Sequence, residues 1–168
     1  NPGGRCGQKI QDGHRFDLGA TILLMPSLYR QVLSALGINL EKDMETTSLS
    51  PIYKLFFGDG STFSFTRDEE KMREQLEAFE PGSYPKYKSY VREGYEYFNL
   101  AMNDLLGKNF DSLFEFVNLK SIRLLMKLKT YRNHTGYVKE YFKDERLQKA
   151  FSFQNIYVGQ NPYEAPAF

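Results

Sequence analysis

Few residues in this sequence could do chemistry by themselves, and the first of them stand at its start. Gly3 and Gly4 lack a Cβ and reach backbone angles that other residues avoid. Arg5, directly behind them, offers a planar fork of donors. The triplet therefore suits close backbone approach to a phosphate-bearing ligand, and it also reads as a plain flexible loop. Cys6 has no histidine at a spacing that would activate it, which makes it a spectator thiol. His14 and His134 lie far apart and neither belongs to a ligand-spaced cluster, so no metal site is expected. Asp68-Glu69-Glu70 is an acidic run that complements the start of a helix. Neither Gly-x-Gly-x-x-Gly nor Gly-Lys-Ser/Thr occurs, so the chain does not supply a dinucleotide phosphate loop of its own.

A second kind of chemistry lies in residues 118–132, which hold Lys120, Arg123, Lys127, Lys129 and Arg132 and no acidic residue. On a helix, Lys120, Arg123 and Lys127 fall within roughly 60° of one another. Leu119, Ile122, Leu125 and Met126 flank them, with Leu124 and Leu128 widening the apolar surface. That layout suits a helix lying in a membrane interface with its cations toward anionic head groups. A buried helix with one solvated basic stripe fits the same pattern.

The elements that must position these groups divide into an early β part and a later helical part. Asp12-Gly13 and Asp59-Gly60 each separate two extended runs, the strongest short-range hairpin signal. With Asp59-Gly60 as a two-residue loop, Phe56 faces Phe63, and Ile52, Lys54 and Phe65 share that side. The strand 52–57 is then apolar on both faces and expects a cover on each. Residues 27–36 read as a helix capped by Ser27 and ended by Gly37. Thr66 and Glu69 have capping-box spacing and open a charged helix through about Glu77. The longest helix starts at Ser83 and carries the stripe Tyr87, Val91, Tyr95, Phe98, Met102 and Leu105, ending at Gly107. Short helices are expected at 111–117, 119–129, 135–142 and 144–153. Strands first and helices afterwards make this an α+β fold.

Composition bounds the rest. A chain of 168 residues, 41% hydrophobic and 26% charged, is one ordinary soluble domain. Lys+Arg 22 against Asp+Glu 21 carries no nucleic-acid signature. One cysteine excludes an internal disulfide and points to a reducing compartment. Twelve Tyr and 14 Phe without a single Trp are more aromatic side chains than a core of this size needs. No window reaches the ~18 apolar residues of a spanning helix.

Several blocks, taken together, resemble the phytoene desaturase family of FAD-dependent, amine-oxidase-like flavoproteins. They are Gly3-Gly4-Arg5, residues 12–21 (Asp-Gly-His-Arg-Phe-Asp-Leu-Gly-Ala-Thr), Leu24-Met25-Pro26, residues 50–60, and residues 151–159 with 162–167. They stand in the family's order, with a divergent middle at about 67–135. The resemblance implies a two-lobed enzyme in which residues 1–25 leave the FAD-binding domain and 26–168 build most of a substrate lobe, its sheet at about 50–66 and its helical subdomain at about 67–155. It implies Gly3, Gly4 and Arg5 against the FAD diphosphate, and Gly19, Ala20 and Thr21 beside the flavin ring. The family often has proline where this chain has Ala20. Phe56, Phe57, Phe63 and Phe65 are the expected contacts of a long apolar isoprenoid, and no catalytic side chain is singled out. The implied protein desaturates that isoprenoid at a cytoplasmic membrane surface, with the stretch 118–132 on the membrane, no metal and no nucleic acid. This central stretch alone is expected to be inactive. A carotenoid isomerase or saturase, a stand-alone lipid-surface module, and an amine oxidase for a small polar substrate are the alternatives.

Overall fold

The computed structural model describes residues 4–19, 23, 25–103, 109, 111–112 and 119–167. The chain forms two compact units, Asn1–Ser48 and Leu49–Phe168. The α+β expectation holds: each unit has one two-stranded antiparallel sheet among its described residues, accompanied by helices.

In the first unit, β1 (Gln8–Gln11) pairs with β2 (His14–Asp17), Gln11 opposite His14. Asp12 and Gly13 form the two-residue loop, both at positive φ, as the sequence predicts. Helix α1 (Pro26–Ala35) starts one residue earlier than expected. Ser27 does not cap it; Pro26 sits in the first turn, where its missing N–H leaves nothing unsatisfied. A short α2 follows (Leu40–Asp43), capped by the Asn39 side chain.

The second unit opens with β3 (Tyr53–Phe56) and β4 (Thr62–Phe65), and here the expected register is off by one. Leu55 pairs with Phe63 and Phe56 with Thr62. The loop has three residues, not two, because Asp59 turns back to accept hydrogen bonds from Ser61 N (2.9 Å) and Ser61 Oγ (2.6 Å). Gly60 takes the left-handed conformation (φ 83°) that closes such a loop. The slip moves every side chain to the other face. Tyr53, Leu55, Phe63 and Phe65 now point one way, onto the core. Phe56 points the other way and is 76% exposed, with the Lys54 ammonium 5.3 Å from its ring centre.

Helix α3 (Glu69–Phe79) is capped by Asp68, which accepts from Glu70 N and Lys71 N, so the Thr66–Glu69 capping box does not form. Met72 and Leu76 lie one turn apart on its buried face. At the corner, Glu77 accepts from Gly82 N (2.6 Å) and Tyr84 N (2.9 Å), and Ser83 Oγ donates to the Leu76 carbonyl (2.8 Å). These bonds turn the chain into α4 (Ser83–Ala101). Of the predicted apolar stripe of α4, Tyr87 packs on the first core, the next three residues do not, and Leu105 lies outside the described residues. Ser83, Tyr97 and Ala101 are buried, with Tyr87 and Tyr90 half-buried, whereas Val91, Tyr95 and Phe98 face outward. Phenol rings face inward because their hydroxyls find partners there, which hydropathy alone does not register.

Among the described residues three further helices follow, α5 (Leu119–Lys127), α6 (His134–Tyr141) and α7 (Glu145–Ser152), the last running into a 3-10 turn, Phe153–Val158. Most of the helix expected at 111–117 lies outside the described residues, as does Gly107. One core joins Phe63, Met72, Leu76, Val138, Phe142, Leu147, Ala150 and Phe151; a second joins Tyr97, Leu124, Leu128, Tyr137 and Ala167. Glu80 ties the first core's edge together, accepting from Lys143 N (2.6 Å), Asp144 N (3.0 Å) and the Lys86 ammonium (2.7 Å).

Candidate functional site

In the first unit, Gly4 and Arg5 lie in a 3-10 turn, Gly4–Cys6, immediately before β1. Leu18 N donates to the Gly7 carbonyl at 2.9 Å, which closes the open end of the hairpin. The turn carrying Gly4 and the residue Gly19 therefore emerge at the same end of β1 and β2. Gly4 has φ 48°, and a Cβ built on it would meet nothing within 4 Å. Its backbone is open to an approaching group, and only glycine takes that conformation without strain. The residues present thus fit a phosphate-bearing ligand. Gly3, Ala20 and Thr21 lie outside the described residues.

In the second unit, the four expected substrate phenylalanines do not share one wall. Phe63 is fully buried, edge-on to Phe65 (5.1 Å) and Phe79 (5.8 Å). Phe57 is half-buried against Phe79 at 6.0 Å, and Phe56 is on the outer face. Phe65 alone of the four reaches a groove, of about 640 Å³, bounded by Ile52, Met72, Tyr87, Val91 and Tyr95. This groove takes in the outward stripe of α4 and exposes mostly apolar surface, with Thr66, Arg67, Glu69, Lys88 and Arg92 also on its walls.

The most concentrated electrostatics lie deeper. The Glu93 carboxylate of α4 accepts from three phenols, Tyr97, Tyr137 (2.8 Å) and Tyr141, and from the Lys129 ammonium (2.6 Å). Burial by itself would raise its pKa, but the hydrogen bonds from Lys129, Tyr141, Tyr97 and Tyr137 outweigh burial and hold it at about 2. The phenol of Tyr137 is pushed far up, first by burial and then by Tyr141 and Glu93. Lys129 itself stands in the left-handed region, φ 54°, at the end of α5. There Lys129 N donates to the Met126 carbonyl and Thr130 N to the Leu125 carbonyl, a stop usually built on glycine. The sequence reading missed this cluster. Its trace was a pair of i,i+4 spacings, Glu93 with Tyr97 and Tyr137 with Tyr141. His134 is a core residue: its N–H donates to the Ala165 carbonyl (2.8 Å), and its ring meets Tyr90 Oη (3.2 Å) and Asn155. Burial lowers its pKa, which keeps the ring neutral.

Around the basic stretch, Leu124 and Leu128 turn into the second core, while Leu119, Ile122 and Met126 stand exposed beside Arg123 and Lys127. Lys129 is bound to Glu93, and Arg132 to Glu140.

The model of the flavin containing amine oxidoreductases matches residues 1–167. The chain belongs to that family. Among its relatives, a zeta-carotene-forming phytoene desaturase of Myxococcus xanthus is 33% identical over 166 residues, 99% of this chain and 32% of the relative. A phytoene desaturase of Neurospora crassa is 35% identical over 169 residues, 98% of this chain and 28% of the relative. A 4,4'-diapophytoene desaturase (4,4'-diaponeurosporene-forming) of Staphylococcus aureus is 32% identical over 167 residues, 99% of this chain and 33% of the relative. The chain thus spans about a third of the length of the curated relatives it matches. As a member of the flavin containing amine oxidoreductases it belongs with redox enzymes whose reacting group is a flavin. Among the described residues no helix is long and apolar enough to cross a membrane.

Proposed function

We propose that this chain is part of an FAD-dependent desaturase of a long apolar isoprenoid, a hydrocarbon of the phytoene class. The observation that carries the proposal is the match of nearly the whole chain to three desaturases of such hydrocarbons. Residues 1–25 connect to the FAD-binding domain, and 26–168 form the substrate lobe. When bound, the flavin supplies the acceptor for the hydride removed from the hydrocarbon. Gly3 and Gly4 let the backbone approach the FAD diphosphate, Arg5 neutralises it, and Gly19, Ala20 and Thr21 border the ring. Phe65 and the groove beside it, with Tyr87, Val91 and Tyr95, lie along the hydrocarbon and keep water from it. Phe63 holds Phe65 in place from behind, while Phe56 and Phe57 lie away from that groove. Such a substrate resides in a bilayer, so the protein works as a peripheral one. Leu119, Ile122 and Met126 enter the interface while Arg123 and Lys127 meet anionic head groups.

The test is the flavin absorption spectrum of the intact protein, followed by conversion of phytoene presented in liposomes. Stoichiometric FAD and a product with a lengthened polyene chromophore are expected. Replacing Arg5 by alanine is expected to weaken FAD binding by roughly tenfold or more, because a charge-assisted contact to the diphosphate is lost. A protein that stays free of flavin in excess FAD, or an Arg5→Ala variant with undiminished affinity, removes the assignment of this turn.

A further inference from the structure

The hairpin of β3 and β4 has two edges, and only one of them is closed. Phe57 N donates to the Ser61 carbonyl at 2.9 Å. Bonds in an antiparallel ladder alternate, so Leu55 and Tyr53 bond Phe63 and Phe65 in the same way. The N–H and C=O groups of Lys54, Phe56, Thr62 and Ser64 then point away from the ladder. On the β4 side, the Gln75 side chain of α3 closes the edge. It accepts from Ser64 N (2.8 Å) and donates to the Ser64 carbonyl (3.2 Å), the pair of bonds that a third strand would make. On the β3 side, no described residue bonds the backbone of Lys54 or Phe56.

An open edge of this kind is a template for strand addition, and proteins blunt it with a charge, a proline or a bulge. Here the charge is spent elsewhere, because the Lys54 ammonium lies 5.3 Å from the Phe56 ring centre on the outer face. On the inner face, Leu55 packs against the first core. A hairpin alone is marginal, and a third strand is the common remedy.

We propose that the β3 edge takes an added strand of the same polypeptide, contributed from outside residues 1–168. A second copy or a separate peptide is the poorer occupant. Lys54 and Phe56 offer too few backbone bonds to offset the translational and rotational freedom that a free molecule gives up. A strand tethered to the same chain gives up far less. The chain spans about a third of the length of the relatives it matches, which supplies the polypeptide, and in this the inference rests on the reading of the chain as part of a longer desaturase. Strand alternation fixes the chemistry of the newcomer. Its residue beside Leu55 is apolar and extends the first core. On the outer face it sets an acidic group by Lys54 and an apolar one against Phe56.

The test is amide hydrogen exchange of the intact protein at single-residue resolution, with flavin content read on the same sample. In a bare hairpin the protection alternates, slow at Leu55 and fast at Lys54 and Phe56. With the strand in place, Lys54 and Phe56 are expected to exchange roughly a hundredfold or more slower than free chain, at every protein concentration. Fast exchange at both overturns the proposal, as does protection that appears only when the concentration rises. Phe56→Pro removes an outward N–H and spares the bonds of the hairpin itself; Thr62→Pro, directly across the ladder, does the same on the opposite edge. Phe56→Pro is expected to lower the thermal midpoint by several degrees more than Thr62→Pro. Equal midpoints overturn the added strand. Protected Lys54 and Phe56 in a protein that stays free of flavin uphold the strand while removing the desaturase reading.

Discussion

Glu93→Gln is expected to destabilise the protein by about 2–3 kcal/mol near neutral pH, and to lose part of that deficit on acidification. The amide keeps the shape but not the charge. It leaves the Lys129 ammonium, only 28% exposed as a side chain, without its counter-ion, and three phenols with a weaker acceptor. The pH dependence follows from the depressed pKa of Glu93, about 2 against an ordinary 4.5. Between those values the unfolded chain binds the proton and the folded chain does not, so stability rises with pH across that window. The contribution of Glu93 is complete above about pH 4.5 and is lost as pH falls toward 2. Urea unfolding of parent and variant at several pH values measures this. The difference between the two curves should shrink from pH 5 to pH 2.5, although Glu80, Asp144 and other stabilised carboxylates make both proteins acid-sensitive. A constant difference across that range would mean that Glu93 is not held ionised by its phenols and lysine.

Phe142→Ala is expected to cost about 3–5 kcal/mol, more than any surface change in this chain. Phe142 is fully buried and stacks on Phe151 with ring centres 4.5 Å apart and planes 7° from parallel. Phe151 is in turn edge-on to Phe63, Phe65 and Tyr90, so the cavity opens at the point where β4, α4 and α7 meet. Collapse around it is limited, because those rings are already held by one another. Thermal or urea denaturation of the single and double variants of Phe142 and Phe151 gives the coupling between them, about 1 kcal/mol for such a ring pair. A loss below about 1 kcal/mol in Phe142→Ala would place this residue outside the core.

The sequence announced the punctuation of this fold better than its faces. Asp12-Gly13 and Gly37 both stand where elements end, because local backbone preference decides those positions. The expected helices at 119–129, 135–142 and 144–153 each come within one or two residues of α5, α6 and α7. What failed depended on side chains reaching back to the backbone. Asp59 shifted the hairpin register by bonding Ser61, and Asp68 took the cap that Thr66 was expected to form. The packed face of α4 was misread because Tyr97 and Tyr90 hide their rings only by satisfying their hydroxyls on Glu93 and His134, partners 4 and 44 residues away. For the candidate site, a turn at Gly4 was legible from its residue type, since glycine takes a φ that other residues avoid. The groove of Tyr87, Val91 and Tyr95 was not, since it forms from α3, α4 and the hairpin together.

The cluster around Glu93 also gives the chain an optical signature. It has 12 tyrosines and no tryptophan, so its near-ultraviolet emission is that of phenols alone. Three of them donate to a carboxylate, an arrangement that drains the excited state of a phenol by letting its proton leave. In the folded chain these three rings are expected to be dim. They are expected to brighten when α4 parts from α6, so phenol emission would report the opening of that helix pair without any attached label.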